Sequence, residues 1–132
     1  MKKGLADFVS GYATEDDTAA AIAGLYDRTG YVIDPHTAVG DSVYRRYAKE
    51  SGDATKTVIA STASPFKFAK DVYKAITGNE APSDLAALDL LSEATGVEIP
   101  YPLAGLEKRA VRFTEVVEKD EMANAVLAYL NA

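Results

Sequence analysis

Cysteine and tryptophan are absent from this chain of 132 residues, and histidine occurs once. The lack of cysteine excludes a disulfide framework and a thiolate metal site. His36 stands alone, so a metal site built from several histidines cannot form within the chain. We therefore assign no metal site.

The chain also has no cluster of basic residues and no long apolar run. The formal net charge is −6, and the 14 lysines and arginines are scattered, which argues against nucleic acid and an anionic membrane as partners. No apolar run approaches the roughly 20 residues of a membrane span. The opening MKKGLADF has no hydrophobic region after its lysines, so it is unlike a secretory signal. We expect a cytoplasmic protein.

The residues that are present indicate one helix-rich segment over 1–132, because the apolar share of 48% can build a core. Four glycines each follow an apolar pattern of helical period, as at a helix end. The pattern predicts five helices, which begin after Thr14, at Asp34-Pro35, near Pro65, after Pro82 or Ser83, and at about Asp120. The glycine stops are Gly30, Gly52, Gly78 and Gly96.

Periodicity also predicts which side chains of these helices face inward. In chain order they are Ala21, Ile22, Leu25 and Tyr26; Val39, Val43 and Tyr47; Phe68, Val72, Tyr73 and Ile76; Leu85, Leu88 and Leu91; and Met122, Val126 and Leu130.

Two segments have the composition of short strands. TKTVIAS at 55–61 contains an apolar run that suits a strand covered on both faces, and AVRFTEVV at 110–117 alternates weakly. Helix, buried strand and helix form an α/β pattern. Because a covered strand with one plausible partner makes a poor sheet, we expect an α/β fragment with neighbouring strands missing.

No short motif of a known catalytic class is present: the chain lacks GxSxG, GxxxxGK[ST] and GxGxxG. Asp34 and His36 suggest a catalytic dyad, but residues two apart on a helix do not face each other. The alternative is that Asp34 caps a helix. The acidic clusters at 15–17 and 118–121 complement helix starts.

Ser61 and Thr62 end the apolar run and precede a helix-opening proline in STASPFKF. Ligands of open α/β sheets bind beyond the carboxyl ends of strands, so these hydroxyls are candidates for ligand contact. Serine and threonine also form turns and cap helices. The residues themselves leave both interpretations open.

TGYVIDPHTAVG, VIASTASPFKFAKDV and RFTEVVEKDEM, in this order, resemble the carboxy-terminal portion of threonine synthase of the bacterial and fungal branch. The resemblance implies a pyridoxal 5′-phosphate enzyme of the tryptophan-synthase-β-like fold (fold type II), which converts O-phospho-L-homoserine and water to L-threonine and phosphate. Gly40 departs from the family, which usually has alanine there.

The resemblance places Thr62, with Ser61 as the second choice, at the ring nitrogen of the cofactor. A neutral hydroxyl there would not force that nitrogen to protonate. Asp34, His36 and Thr37 are implied as neighbours of the ring.

The family's Schiff-base lysine and phosphate loop lie upstream of this segment, so we assign no catalytic residue here. We expect the chain alone to bind no cofactor, to be inactive, and to self-associate through an exposed apolar face. The alternative is a free-standing helical binding or regulatory module, which would have a self-sufficient core and no orphan strand.

Overall fold

The computed structural model describes residues 7–131, which form five α-helices and no strand. The helices are α1 (Glu15–Thr29), α2 (Pro35–Ser51), α3 (Ala69–Thr77), α4 (Ala86–Thr95) and α5 (Met122–Leu130). A 3₁₀ turn at Pro65–Phe68 leads directly into α3. The five predicted helices are confirmed. Within the described residues, no helix is both long and apolar enough to cross a membrane.

Helix ends follow the local sequence signals. Thr14 and Asp17 form a reciprocal capping box at the start of α1, where the Thr14 hydroxyl accepts from the Asp17 amide at 3.1 Å. The four predicted stops are all confirmed as residues that follow a helix. Gly30 has φ +70°, a left-handed conformation that strains any residue with a Cβ.

The core lies among the first four helices, where α1 packs against α2 and α3, and α3 packs against α4. Ile22, Val72 and Leu91 are at its centre and are almost fully buried. The Tyr26 hydroxyl donates to the carbonyl of Ala94 at 3.2 Å and ties α1 to α4. The other buried apolar residues are Val32, Ile33, Ala38, Phe66, Ala69, Ala81, Ala87 and Leu88.

The inward face of α2 differs from the periodicity prediction. Val39, Val43 and Tyr47 are only half-buried, whereas Thr37, Ala38 and Asp41 are buried. Val43 is covered by the extended segment before α1, where a Cβ on Gly11 would lie 2.8 Å from the Val43 Cγ1. The buried face of α2 therefore carries polar side chains, and a count of apolar residues cannot find it.

Both predicted strands are wrong for the described chain. Val58 is 91% exposed and Val116 is 93% exposed, and both segments have extended or irregular backbone without ladder partners. A strand needs a neighbour that satisfies its amides and carbonyls, and residues 7–131 supply none.

The carboxy-terminal helix has no buried face. α5 contains no buried residue, and its predicted inward positions are exposed: Met122 at 56%, Val126 at 58% and Leu130 at 73%. Leu85, which immediately precedes α4, is likewise exposed, while Leu88 and Leu91 in α4 are buried as predicted. The prediction of a helix here is correct, but the described residues provide no surface that covers the apolar side chains of α5.

Candidate functional site

Asp34 anchors the start of α2. It has extended backbone, and its Oδ1 accepts from the amides of His36 at 2.9 Å and Thr37 at 3.3 Å. Pro35 occupies the first helical position, where no amide donor is needed. The predicted cap is confirmed, and Asp34 contacts His36 through the backbone amide of that residue.

Two hydroxyl groups lie close to the other carboxylate oxygen of Asp34, Oδ2. Thr37 Oγ1 donates to Asp34 Oδ2, and Ser61 Oγ lies 3.4 Å from the same oxygen. Thr37 Oγ1 and Ser61 Oγ are 3.2 Å apart. Asp34, Thr37 and Ser61 form a closed triangle, hereafter the Asp34 triangle, which joins the start of α2 to the loop before α3.

Burial and hydrogen bonding act in opposite directions on Asp34. Asp34 is fully buried, and burial raises the pKa of a carboxyl group. Hydrogen bonds from Thr37 and from the His36 amide favour the charged form, and they hold the pKa of Asp34 below its usual value. Asp34 is therefore a carboxylate at neutral pH.

The remaining two predicted site residues lie outside this triangle. The exposed His36 ring packs edge-on against Phe68, with centroids 5.0 Å apart. Thr62 is exposed, and its side chain makes none of the hydrogen bonds found in residues 7–131. The structure thus joins Ser61 to the buried carboxylate and leaves Thr62 facing outward into solvent.

The helix after the loop is capped by a residue that the sequence interpretation missed. Ser64 Oγ accepts from the Phe66 amide at 3.3 Å, and Pro65 follows it. Neither Ser61 nor Thr62 performs this role. The signal was available, because Ser64-Pro65 repeats the cap-then-proline order of Asp34-Pro35.

A groove of about 480 Å³ lies between α1 and α3, and Thr37, Ser61 and Thr62 are not among its lining residues. Its lining includes Glu15, Asp16, Asp71 and Lys74. Lys74 Nζ is 2.5 Å from a carboxylate oxygen of Glu80, so the lysine already has an anionic partner. Within residues 7–131, no group of three or more histidine, aspartate or glutamate side chains is arranged to hold a metal ion.

The family model "Threonine synthase, C-terminal" matches residues 37–127. The chain belongs to this family. Of the five predicted site residues, Thr37, Ser61 and Thr62 lie inside that range, and Asp34 and His36 lie just before it.

Curated relatives agree with the family assignment. Threonine synthase of Schizosaccharomyces pombe is 43% identical over 72 residues, which cover 54% of this chain and 14% of the relative. Threonine synthase of Corynebacterium glutamicum is 41% identical over 75 residues, which cover 57% and 15%. Human "Threonine synthase-like 1" is 37% identical over 70 residues, which cover 53% and 9%. The chain thus matches only a small part of each relative's length.

Proposed function

We propose that this chain is the carboxy-terminal part of a threonine synthase and forms one wall of its pyridoxal 5′-phosphate pocket. In that enzyme the reaction would convert O-phospho-L-homoserine and water to L-threonine and phosphate. The observation that carries the proposal is the Asp34 triangle, since it fixes a hydroxyl-bearing loop of the matched family segment beside a buried carboxylate.

The chemistry of these side chains fits the ring side of the cofactor. Ser61 and Thr62 are exposed hydroxyls at the start of the STASPFKF loop, and either can form a hydrogen bond with a ring nitrogen. The His36 ring packs against the ring of Phe68, the last residue of STASPFKF, with centroids 5.0 Å apart. When bound, pyridoxal 5′-phosphate supplies an electron sink, and the role proposed for this chain is to bind and orient the ring.

The proposed fold of the whole enzyme is the tryptophan-synthase-β-like fold (fold type II). In that setting, residues 57–60 would pair with strands supplied by the rest of the enzyme. Val58 is 91% exposed, as expected for a residue whose covering layer lies elsewhere. Ile59 lies close to α2, since its Cγ2 is 3.6 Å from the position that a Cβ on Gly40 would occupy.

The chain alone is expected to be inactive and to hold no cofactor. The lysines among residues 7–131 lie in helices or exposed segments; Lys67, for example, is exposed and lies 5.8 Å from the centre of the Phe68 ring. Incubation with pyridoxal 5′-phosphate, borohydride reduction and mapping of labelled lysines tests this. We expect no saturable label at one lysine and no turnover of O-phospho-L-homoserine; turnover by this chain would contradict the proposal.

The pocket role itself is tested in a full-length threonine synthase that carries this segment. Thr62→Ala and Ser61→Ala are compared with Thr55→Ala, an exposed control in the same segment before the loop. We expect at least one loop variant to change the cofactor absorption spectrum, while the control does not. Unchanged spectra in both loop variants would contradict the placement of this loop in the cofactor pocket.

A free-standing helical module is the second interpretation. It has some support, because the first four helices share one apolar core with the segments that connect them. The exposed apolar residues of 57–60 and 110–130 favour the enzyme segment instead, since an independent module would bury or replace them.

A further inference from the structure

A second groove, of about 240 Å³, lies between α1 and α2. Pockets for drug-sized molecules usually enclose roughly 300–1,000 Å³, so this groove suits a smaller ligand. Its lining combines two small apolar side chains with two arginines and two other polar residues: Ala20, Ala21, Arg28, Arg45, Asp17 and Ser42. Two arginines at one groove are notable in a chain with a net charge of −6, and they indicate an anionic ligand.

Arg28 brings a cation without a partner to this groove. Within residues 7–131, its guanidinium takes part in no salt bridge and no hydrogen bond. A Cβ on Gly24, one turn earlier in α1, would lie 3.2 Å from Arg28 Nη1, so the arginine side chain runs back along the helix over this glycine. All five N–H donors of the Arg28 guanidinium therefore remain for an acceptor in the groove.

Arg45 is held in place by a buried carboxylate. Its Nε donates to Asp41 Oδ2 at 2.6 Å, and Asp41 is buried while Arg45 is exposed. This contact uses one of the five guanidinium donors, and the described part of the chain supplies no acceptor to the two Nη groups. Because the side chain is already fixed at Nε, it loses less conformational freedom when its Nη groups bind a ligand.

Ser42 supplies a third donor and is half-buried. Five other hydroxyls of the helices donate to the carbonyl four residues earlier in the chain, namely those of Thr18, Thr29, Ser51, Thr77 and Thr95. Among residues 7–131, Ser42 makes neither this bond nor another side-chain hydrogen bond. The proton of the Ser42 hydroxyl is therefore available to a ligand in the groove.

Two carboxylates lie near the groove, and neither is paired with Arg28. Asp17 accepts two hydrogen bonds at the cap of α1, and its Oδ2 lies 3.8 Å from Arg46 Nη2. Asp41 is paired with Arg45. The three arginines outnumber the two aspartates by one, and Arg28 is the arginine without a carboxylate partner in the described chain. The groove therefore retains an excess positive charge.

We propose that Arg28, Ser42 and Arg45 form a binding site for a phosphate group. Guanidinium groups bind phosphate through paired N–H donors. Donors from three separate side chains suit an anion with more than the two oxygens of a carboxylate. The phosphate can be the free inorganic ion or part of a small ester, since both present the same oxygens. The inference concerns α1 and α2 alone, so it goes beyond the proposed function and does not depend on it.

The test is an NMR titration of the ¹⁵N-labelled chain, in which inorganic phosphate, methyl phosphate or acetate replaces chloride at constant ionic strength. The arginine Nε–H signals and the Ser42 amide are followed. Arg28→Gln and Ser42→Ala are compared with Arg109→Gln, which removes the same charge at an exposed arginine outside the first four helices. Circular dichroism checks that all three variants retain the wild-type helix content.

We expect inorganic phosphate to give saturable shifts at Arg28, Ser42 and Arg45. Arg28→Gln should weaken binding about tenfold and Ser42→Ala about threefold, while Arg109→Gln leaves it unchanged. Equal binding of methyl phosphate would support an ester as the source of the phosphate group, and weaker binding would support the free ion.

Three results would overturn the inference. Shifts that do not saturate with either phosphate compound would show that no site is present. Equal losses in Arg28→Gln and Arg109→Gln would show a general effect of charge. Acetate that binds as tightly as phosphate would show a carboxylate site instead.

Discussion

Two regions of this chain, residues 15–95 and residues 97–131, differ in what they bury. Residues 15–95 hold every residue of the core, with Ile22, Val72 and Leu91 almost fully enclosed. Residues 97–131 bury none, although Phe113, Val116 and the apolar positions of α5 are as hydrophobic. An apolar sequence pattern indicates side chains that are suited to burial. The comparison shows that the segment that would cover them can lie in another part of a protein.

The two regions also differ in the roles that they would have within the family segment. The self-contained part carries the Asp34 triangle, so the proposed cofactor wall is already organised before any further contact. The exposed part has apolar side chains in two segments, residues 110–117 and α5. Phe113 of the first segment and Tyr129 of the second pack together, with ring centroids 6.3 Å apart. It has the character of a surface that another protein layer covers.

Leucine truncation gives the largest expected contrast between the two regions. Leu91→Ala opens a cavity in the core and should lower the free energy of unfolding by roughly 2–5 kcal/mol. Leu130→Ala, at a side chain 73% exposed, should change it by less than about 0.5 kcal/mol. Urea denaturation followed by circular dichroism measures both. Equal losses would mean that α5 belongs to the same core.

Removal of the Asp34 carboxylate is the next largest effect. Asp34→Ala deletes a helix cap and leaves Thr37 without its acceptor, so we expect a loss of about 2 kcal/mol at neutral pH. Because the folded-state pKa lies below the ordinary value, this stabilisation is complete above the ordinary pKa of the carboxyl group. It is lost as the pH falls through the folded-state pKa.

The difference in stability between wild type and Asp34→Ala should therefore shrink in acid. Denaturation curves at neutral pH and at successively lower pH measure it. Asp120→Ala, an exposed control outside the first four helices, should show no such convergence. A gap of the same size at every pH would contradict the assignment of a lowered pKa to Asp34.

Self-association through the exposed region should produce a smaller free-energy effect. The wild-type chain is expected to form dimers or larger species at rising concentration, which analytical ultracentrifugation detects. Val126→Asp places a charge on the exposed face of α5 and should weaken association about tenfold, equivalent to about 1.4 kcal/mol. Glu93→Asp on α4 is the matched control, because it keeps the charge at an exposed site. A strictly monomeric wild type would show that this face needs no cover.

Glycine substitutions give the finest distinction. Gly40 lies in the interior of α2, and a Cβ there would meet Ile59 Cγ2 at an ordinary 3.6 Å. Gly40→Ala should therefore raise the free energy of unfolding by about 0.5–1 kcal/mol. Gly52→Ala should lower it by about 1 kcal/mol, since Gly52 has φ +71°. Thermal denaturation tests both, and a loss of stability in Gly40→Ala would show that Ile59 is held more tightly than this distance indicates.

Local signals predicted the helices well, because caps and stops act over a few residues. Thr14, Asp34 and Gly30 each behave as their residue types and neighbours indicate. The buried polar face of α2 and the contact of Ser61 with Asp34, 27 positions apart, depend on how helices and loops pack. Periodicity cannot supply such contacts.

The predictions of two strands and of an inward face on α5 were wrong for a different reason. Val58 and Val126 have the expected chemistry for burial, but burial requires a neighbour that residues 7–131 do not provide. The prediction that Thr62 outranks Ser61 came from the resemblance, and it stays a prediction. The structure connects Ser61 to the buried carboxylate, which sequence spacing alone could not show.

Native-state hydrogen exchange of the 132-residue chain, read by NMR at each amide, tests the contrast between the two regions most directly. We predict that the amides of α1–α4 exchange only through global unfolding and respond together to added urea. The amides of α5 should exchange near the rates of an unstructured peptide at concentrations where the chain is monomeric. Protection of α5 equal to that of α1–α4 under those conditions would contradict the account, because it would place the carboxy-terminal helix in the same cooperative core.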